Sequence, residues 1–248
     1  MSKLNGKYAV VTGGSRGIGA AIVQRFLDDG VAGVAILEWD FNSSKDLAKK
    51  LDSTGDKVLP INCDVSKEEQ VVEAIKTTLD KFGTIDILVN NAGITRDDMF
   101  HKMSKEAWNA VINVNLYGTY HTCKYVVPIM REKRYGRIVN ISSVSAFGNV
   151  GQANYVATKG AIISFTTALA LEGGPKNITA NCIAPGFINT DMYQAVPEAI
   201  IAEHKKMIPL KRLGEPEEVA GAVSFLASDD ASFISSQCLI VSGGRNSI

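Results

Sequence analysis

The sequence lacks any block of like charges. Its 26 basic residues balance its 26 acidic residues, so the formal net charge at pH 7 is zero. Proteins that bind nucleic acids or anionic membranes usually present a strongly basic face. The sequence therefore predicts neither a nucleic acid nor a membrane surface as a partner.

Cysteine and histidine are both scarce. The four cysteines are far apart in the sequence, no CxxC pair occurs, and the three histidines show no ligand spacing. These absences argue against a disulfide framework and against a structural zinc site. We expect no metal site, and we expect the cysteines to be small buried side chains in a reducing compartment.

Long hydrophobic runs are also missing. No apolar run approaches the length of a membrane span. The first residues, Met-Ser-Lys-Leu-Asn-Gly-Lys, do not show the basic, apolar and small-residue regions of a secretory signal. We therefore expect a cytoplasmic protein.

What the sequence does contain is an alternation of short apolar runs with longer helical patterns. The predicted strands are 8–12, 33–37, 58–63, 85–90, 137–141, 179–184 and 239–241. These runs are almost wholly apolar, which is typical of strands covered on both faces. The pattern predicts an α/β fold with a doubly wound parallel sheet of about seven strands and helices on both faces. No linker or repeat interrupts it, so we expect one domain over residues 1–248.

Three helix starts carry sequence signals. Ser66 with Glu69 has the spacing of a capping box. Ser104 is a predicted N-cap for the helix that follows it. Residues 215–218 place a proline and acidic side chains in a first helical turn, where they suit the helix dipole.

A glycine-rich turn follows the first predicted strand. Gly13, Gly17 and Gly19 let the chain turn tightly and let its backbone approach a pyrophosphate at a helix N-terminus. Glu38 stands nineteen residues after Gly19, at the end of the next strand. An acid at about that distance accepts hydrogen bonds from the adenosine ribose, so the two signals together predict a dinucleotide site.

A second group of polar residues suggests proton transfer. Tyr155 and Lys159 are four residues apart and share one face of a predicted helix. The ordinary pKa of tyrosine, about 10, is high for an acid–base catalyst at neutral pH. A neighbouring ammonium group and an oxidised nicotinamide favour the phenolate, so we expect them to lower the pKa of Tyr155. A hydroxyl from Ser142 or Ser143 can hold the substrate oxygen.

Taken together, these motifs resemble the short-chain dehydrogenase/reductase superfamily from Lys7 to Gly244. The matching segments are 12–19, Asp64-Val65, Asn90-Asn91-Ala92-Gly93, Asn115, the serines before Tyr155-x-x-x-Lys159, and Pro185-Gly186 with Thr190. The resemblance implies a Rossmann-type fold and hydride transfer between NAD(P) and a carbonyl or hydroxyl carbon. It also implies a homotetramer, built through 104–131, 153–172 and roughly 235–248.

The resemblance implies four catalytic residues. Tyr155 is the general acid–base, Lys159 tunes it and binds the nicotinamide ribose, Ser143 orients the substrate oxygen, and Asn115 holds a water in the proton relay. Ser142 remains an alternative because it lies thirteen residues before Tyr155. Ser143 is favoured because it is the second serine of Asn-Ile-Ser-Ser and strand register fixes side-chain direction.

The resemblance also implies a cofactor site. Its residues are Gly13, Ser15, Arg16, Gly17, Ile18, Gly19, Glu38, Asp64, Val65, Asn91, Ala92, Gly93, Tyr155, Lys159, Pro185, Gly186, Ile188 and Thr190. Two of them indicate different cofactors. Glu38 suits the ribose hydroxyls of NAD and repels the 2′-phosphate of NADP, whereas Arg16 resembles an arginine that holds this phosphate. We expect NAD(H) to be favoured, with NADP(H) as the alternative.

The substrate is less well defined by the sequence. Segments 94–97, 134–137 and 151–155 look most like 3-oxoacyl-thioester reductases, which usually use NADPH. Three interpretations stay open: an NAD-dependent dehydrogenase of a secondary alcohol or 3-hydroxyacyl thioester, an NADPH-dependent 3-oxoacyl reductase, and a non-catalytic NAD(P)-binding sensor or scaffold. The substrate loop, at about 188–212, is predicted to form a partly apolar lid with Met192, Tyr193, Val196 and Ile200.

Overall fold

The computed structural model describes residues 3–190, 193 and 197–245. The strands are β1 (Tyr8–Thr12), β2 (Gly33–Glu38), β3 (Val58–Asn62), β4 (Ile87–Asn90), β5 (Gly136–Ile141), β6 (Ile178–Pro185) and β7 (Cys238–Val241). The helices are α1 (Gly17–Asp28), α2 (Phe41–Leu51), α3 (Glu68–Phe82), α4 (Lys105–Val111), α5 (Gly118–Lys133), α6 (Ala153–Gly173), α7 (Glu198–Met207) and α8 (Pro216–Ala227). A π-helical segment, Ile112–Tyr117, joins α4 to α5.

The strands form one parallel sheet in the order β3-β2-β1-β4-β5-β6-β7. Every strand pairs in parallel with its neighbours. The chain winds outward from β1 to one edge and then from β4 to the other. Ligands of such sheets bind outside the carboxyl ends of the strands at this reversal. The predicted fold class is confirmed, and the candidate site is expected above β1 and β4.

Apolar side chains cover both faces of the sheet. Ala9 and Val11 pack in the core cluster that contains residues of α1 and α8. Val10, between them, points to the opposite face and packs with residues of α3, α5 and α6. Since successive strand residues face opposite sides, a strand buried on both sides needs an apolar residue at every position. This explains the uninterrupted apolar runs of the sequence.

The structure corrects one predicted helix start and agrees with the other two. Ser66 does not cap α3; its hydroxyl instead donates to the Asp64 carboxylate at 2.7 Å, and the helix begins at Glu68. A turn stabilised by Asp64 competes with capping because both use the same short polar side chains. Ser104 caps α4 by accepting a hydrogen bond from the Ala107 N–H at 3.0 Å.

The third helix start, that of α8, has the expected form. Pro216 occupies its first turn, and the Glu218 carboxylate accepts a hydrogen bond from the Glu215 N–H at 2.8 Å. The predicted second strand is one residue too short, because β2 continues to Glu38. Glu38 is therefore fixed by the sheet itself.

Among residues 3–190, 193 and 197–245, no helix has the length and apolar character needed to cross a membrane. The same residues contain no group of three or more potential metal-binding side chains. Three of the four cysteines are buried, as expected, but Cys238 is partly exposed.

Candidate active site

The glycine-rich turn packs tightly against the segment that follows β4. Gly13 has a φ of +62°, and a Cβ there would lie 2.9 Å from the Ala92 Cα. A Cβ on Gly19 would lie 2.0 Å from the Gly13 carbonyl oxygen. The Thr12 hydroxyl accepts hydrogen bonds from the N–H groups of Asn91 and Ala92, both at 3.0 Å. Positions 13 and 19 of the turn therefore require glycine. The hydrogen bonds of Thr12 hold the turn above β1 and β4, where the strand order reverses.

The amino terminus of α1 opens directly from this turn. The helix begins at Gly17, and no side chain of the described residues caps its first turn at Arg16. The first N–H groups of a helix lack partners within the helix, so this end suits a phosphate. Thr190 lies across it, with its methyl group 3.2 Å from where a Gly17 Cβ would stand. These residues fit the pyrophosphate of a dinucleotide.

Glu38 reaches back from the end of β2 to the same turn. Its carboxylate accepts hydrogen bonds from the Ser15 hydroxyl at 2.7 Å and from the Trp39 N–H at 3.1 Å. The side chain is buried, at 7 % exposure. The carboxylate is thus fixed at the end of β2, beside the glycine-rich turn. This is the position predicted for the adenosine ribose.

Asp40, which none of the sequence motifs includes, pairs with Arg16. The Arg16 guanidinium forms an ion pair with the Asp40 carboxylate and also donates to the Ser43 hydroxyl at 3.1 Å. Asp40 caps α2 by accepting from the Ser43 N–H. Its position two residues after Glu38, ahead of a helix, was the available signal. Arg16, expected to suit a 2′-phosphate, already has a carboxylate partner.

Asp64 and Val65 follow β3, the strand next to β2. The Asp64 carboxylate accepts from the Ser66 N–H at 2.9 Å, which closes a local turn. The Val65 carbonyl accepts from the His121 ring Nδ1 at 2.9 Å. Both residues are therefore held at the carboxyl edge of the sheet, on the side predicted for adenine.

Asn115 is fully buried and joins three parts of the site. Its amide oxygen accepts from the Ile94 N–H at 2.8 Å, and its amide nitrogen donates to the Ile94 carbonyl at 3.0 Å. The same nitrogen donates to the Thr158 hydroxyl on α6 at 3.3 Å. Asn115 lies in the π-helical segment, and such irregular turns often mark functional positions. Its predicted role in holding a relay water stays a prediction.

The two candidate serines have different surroundings. Ser142 is buried, and its hydroxyl donates to the Lys159 backbone carbonyl at 2.8 Å. The Ser143 side chain lies close enough to the Tyr155 phenol to oppose the rise in its pKa, and its hydroxyl accepts from the Ser145 N–H at 3.1 Å. The arrangement thus places Ser143, the favoured alternative, beside the phenol, and Ser142 in a backbone-binding position.

Tyr155 and Lys159 share one face of α6. The Lys159 Nζ lies 5.5 Å from the centroid of the Tyr155 ring and donates to the Ile141 carbonyl at 2.7 Å. A Cβ on Gly93 would stand 3.5 Å from the same Nζ, so this segment lies directly against the lysine. The pair is enclosed by β5, α6 and the turn after β4.

Burial sets the acidity of both groups. It raises the pKa of the Tyr155 phenol, an effect opposed by the hydrogen bond with Ser143 and reinforced by the negative charge of Asp97. Burial also lowers the pKa of Lys159 to about 8. The pKa of Tyr155 is therefore raised in the protein without cofactor, whereas a lowered pKa was expected. Desolvation raises it, and burial also destabilises the charged form of Lys159, the neighbouring ammonium group.

Residues 186–190 form a wall that follows β6 and reaches the amino terminus of α1 at Thr190. The N–H of Gly186 donates to the Val241 carbonyl at 2.9 Å, and Ile188 pairs with Gly214 in an isolated parallel bridge. The Ile188 side chain is buried in the core, so any cofactor contact at this position comes from its backbone. Pro185 ends β6 immediately before this wall.

The predicted lid is described only in part. Met192 and Val196 lie outside the described residues. Tyr193 is hydrogen-bonded through its hydroxyl to His204 on α7. Ile200, on the same helix, is 45 % exposed. An aromatic contact thus tethers part of the loop to the helix that follows it.

Comparison with known proteins identifies the family. Residues 13–246 match the family model described as enoyl-(acyl carrier protein) reductase. The chain is a short-chain dehydrogenase/reductase. It is 47 % identical over 245 residues to the 3-oxoacyl-[acyl-carrier-protein] reductase of Chlamydia muridarum, covering 98 % of each chain. It is 47 % identical over 242 residues to the acetoacetyl-CoA reductase of Shinella zoogloeoides, covering 96 % of this chain and 98 % of the relative.

A relative of lower identity belongs to the same group. The 3-oxoacyl-[acyl-carrier-protein] reductase of Thermotoga maritima is 42 % identical over 245 residues, with 98 % of each chain covered. This short-chain dehydrogenase/reductase is therefore an NAD(P)-dependent oxidoreductase. The interpretation as a non-catalytic sensor or scaffold is set aside.

Proposed function

We propose that the protein interconverts 3-oxoacyl and 3-hydroxyacyl thioesters with NAD(H) as its preferred cofactor. The observation that carries the proposal is the contact between the Ser143 hydroxyl and the Tyr155 phenol, with the Lys159 ammonium one helical turn away. This arrangement presents a proton donor and a hydrogen-bond donor to a single substrate oxygen. The remaining predicted site residues are proposed to hold the cofactor.

The reduction needs one hydride and one proton at the carbonyl group. The reduced nicotinamide supplies the hydride to the carbonyl carbon when it is bound. Tyr155 donates its phenolic proton to the carbonyl oxygen, and Ser143 donates a hydrogen bond that holds this oxygen in place. Lys159 then returns a proton toward the phenolate. In the oxidative direction each proton moves in reverse.

The high pKa of Tyr155 in the protein alone gives the cofactor a second role in this scheme. Before the cofactor binds, burial keeps the phenol protonated. The Tyr155 phenolate would be favoured by the positive charge of an oxidised nicotinamide bound in this site. Tyr155 is therefore an acid for the reduced complex and a base for the oxidised complex.

The acidic adenosine end supports NAD(H). Glu38 is held at the predicted ribose position, and a 2′-phosphate there meets a like charge. Asp40 neutralises Arg16, which reduces the attraction that this arginine offers to the phosphate. The alternative, an NADPH-dependent 3-oxoacyl reductase, requires Arg16 to leave Asp40 for the phosphate.

The proposal of a thioester substrate is supported by the names of the relatives, which act on 3-oxoacyl-carrier protein and on acetoacetyl-CoA. The test is the rate of acetoacetyl-CoA reduction with NADH and NADPH at matched concentrations. We expect turnover and a higher kcat/KM with NADH. A preference for NADPH overturns the cofactor assignment, and no turnover with either cofactor overturns the thioester assignment.

We also propose a homotetramer built from single-domain subunits. Tyr117 and Leu171 expose 51 % and 73 % of their surface on the helices predicted to mediate assembly. Phe233, near the C-terminal segment, is fully exposed. Assembly through these segments would remove such apolar side chains from water. Light scattering coupled to gel filtration tests this, and a monomeric mass contradicts it.

A further inference from the structure

Thr158, on α6, links two groups of the candidate active site. Its side chain is fully buried, at 0 % exposure. Its hydroxyl donates to the Tyr155 backbone carbonyl at 2.8 Å and accepts from the Asn115 side-chain nitrogen at 3.3 Å. We propose that Thr158 is a positioning residue, which fixes the Asn115 amide so that its oxygen faces Lys159 as a hydrogen-bond acceptor.

The hydrogen-bonding capacity of the two side chains fixes the direction of these bonds. The Thr158 hydroxyl has one hydrogen, which goes to Tyr155, so its oxygen can only accept from Asn115. The Asn115 nitrogen has two hydrogens: one is donated to the Ile94 carbonyl at 3.0 Å and the other to Thr158. The amide nitrogen is therefore fully engaged within the protein. The amide oxygen accepts from the Ile94 N–H at 2.8 Å and keeps a second lone pair.

The space beside Gly93 lies between this amide oxygen and Lys159. A Cβ on Gly93 would stand 3.4 Å from the Asn115 amide oxygen and 3.5 Å from the Lys159 Nζ. Because glycine has no Cβ, a water-sized group can contact both atoms at that point. The Lys159 Nζ uses one of its three hydrogens for the Ile141 carbonyl and has the others to donate. A group between the two side chains must accept from Lys159 and donate to Asn115, and a water molecule can do both.

Loss of the Thr158 hydroxyl would leave one Asn115 N–H buried without an acceptor. An unpaired donor in a buried position is unfavourable, so we expect the amide to rotate and its oxygen to leave the position facing Lys159. This inference rests on the proposed function, because the orientation of Asn115 affects turnover only if a water held there returns protons to Lys159.

Thr166, about two helical turns further along α6, provides a matched control. Its hydroxyl donates to the Ile162 carbonyl at 2.7 Å and accepts from the Asn140 side-chain nitrogen at 2.9 Å. Thr166 is buried, at 1 % exposure. The two threonines thus make the same two kinds of hydrogen bond on one helix, but only Thr158 bonds to a residue of the proposed proton relay. Both hydroxyls are enclosed by the subunit itself, so the comparison does not depend on assembly.

The experiment follows the Asn115 amide and the turnover in Thr158→Val, which replaces the hydroxyl by a methyl group of similar size. In protein labelled with ¹⁵N-asparagine, we expect one Asn115 side-chain hydrogen to exchange with solvent at least about tenfold faster than in the wild type. With acetoacetyl-CoA and NADH, we expect kcat to fall about tenfold and KM to change less than about twofold, since a misplacement of about 1 Å can cost about 10²-fold in rate. Thr158→Ser, which keeps the hydroxyl, should retain both wild-type properties, and Thr166→Val should change neither.

The remaining outcomes decide against the proposal. Unchanged Asn115 exchange in Thr158→Val overturns it, as does an equal loss of kcat in Thr158→Ser or in Thr166→Val. If Thr158→Val does not fold, Thr158→Ala takes its place, because alanine also lacks the hydroxyl and adds no volume.

The two readouts separate this inference from the proposed function. If the wild type does not turn over the thioester, the proposed function fails, and the exchange of the Asn115 amide still decides whether Thr158 positions it. If the wild type turns over and Thr158→Val keeps its kcat despite faster exchange, this inference fails and the proposed function stands.

Discussion

The two ends of the proposed cofactor cleft are organised by different forces. At the catalytic end, burial dominates: it raises the pKa of Tyr155 and lowers that of Lys159. At the adenosine end, fixed hydrogen bonds and an ion pair dominate, through Glu38, Arg16 and Asp40. Proton chemistry at the first end therefore depends on what fills it, whereas we propose that charges held at the second end select the cofactor.

The largest expected effect is the loss of turnover in Tyr155→Phe. Removing the phenolic proton removes general acid–base catalysis, which contributes about 10²–10⁴-fold to a rate. We expect kcat to fall by about 10³-fold. The Kd for NADH, measured by its fluorescence enhancement, should change less than about threefold, because losing this one contact should cost less than about 1 kcal/mol of binding free energy. A variant that keeps its kcat removes Tyr155 from the mechanism.

The serine pair separates catalysis from packing at the same end of the cleft. Ser143→Ala removes a donor to the substrate oxygen and the acceptor of the Ser145 N–H, so we expect kcat to fall by about 10²-fold and the unfolding free energy to fall by at most about 1 kcal/mol. Ser142→Ala removes the hydrogen bond to the Lys159 carbonyl and should cost about 1 kcal/mol of unfolding free energy, with a small effect on kcat. If kcat instead falls strongly in Ser142→Ala and only slightly in Ser143→Ala, Ser142 is the catalytic serine; urea unfolding measures the stability of both variants.

The adenosine end is tested by changing its charges. Glu38→Ser removes the like charge opposite a 2′-phosphate, so we expect the ratio of kcat/KM for NADPH over NADH to rise about 30-fold, which corresponds to about 2 kcal/mol. Asp40→Asn releases Arg16 and should raise the ratio by about fivefold, since exposed ion pairs contribute at most about 1 kcal/mol.

The matched control for these variants is Glu69→Ser, which removes an exposed acid from α3. It should leave the cofactor ratio unchanged. An unchanged ratio in Glu38→Ser as well would remove this carboxylate as the selector.

The smallest effect is thermodynamic and concerns Lys159. Burial lowers its pKa from 10.5 to about 8, so its charged form destabilises the folded protein below pH 8. When the pKa of a group differs by one between the folded and unfolded states, the free energy of unfolding changes by about 1.4 kcal/mol. After subtracting about 1 kcal/mol for the lost hydrogen bond to Ile141, Lys159→Met should raise the unfolding free energy by about 2 kcal/mol at pH 7.

The pH dependence of this gain has a definite sign. Between pH 8 and 10.5 the unfolded protein binds more protons than the folded protein, so wild-type stability rises there relative to the variant. The advantage of Lys159→Met should shrink through this interval and turn into a deficit of about 1 kcal/mol above it, where only the lost hydrogen bond to Ile141 counts. Urea unfolding across this range measures the difference, and a gap independent of pH contradicts the assignment. Lys159→Arg, which stays charged, is the control.

The sequence by itself predicted the succession of strands and helices along the chain, and its motifs named the candidate catalytic residues. Uninterrupted apolar strands require helices on both faces, and this determined the parallel sheet. Glycines in the turn after β1 and the helical spacing of Tyr155 and Lys159 are local signals, so they can be recognised without knowing the fold. Ser66 shows where local reasoning failed: two local hydrogen-bonding patterns competed, and spacing did not distinguish them.

Only the tertiary structure decided which groups touch across the sheet. The Arg16–Asp40 ion pair, the opposite environments of Ser142 and Ser143, and the hydrogen bond from Asn115 to Thr158 all join segments that sequence spacing does not relate. The same holds for acidity. The sequence showed that a lysine accompanies Tyr155, but desolvation depends on every side chain packed around the phenol, and that packing is a property of the folded chain.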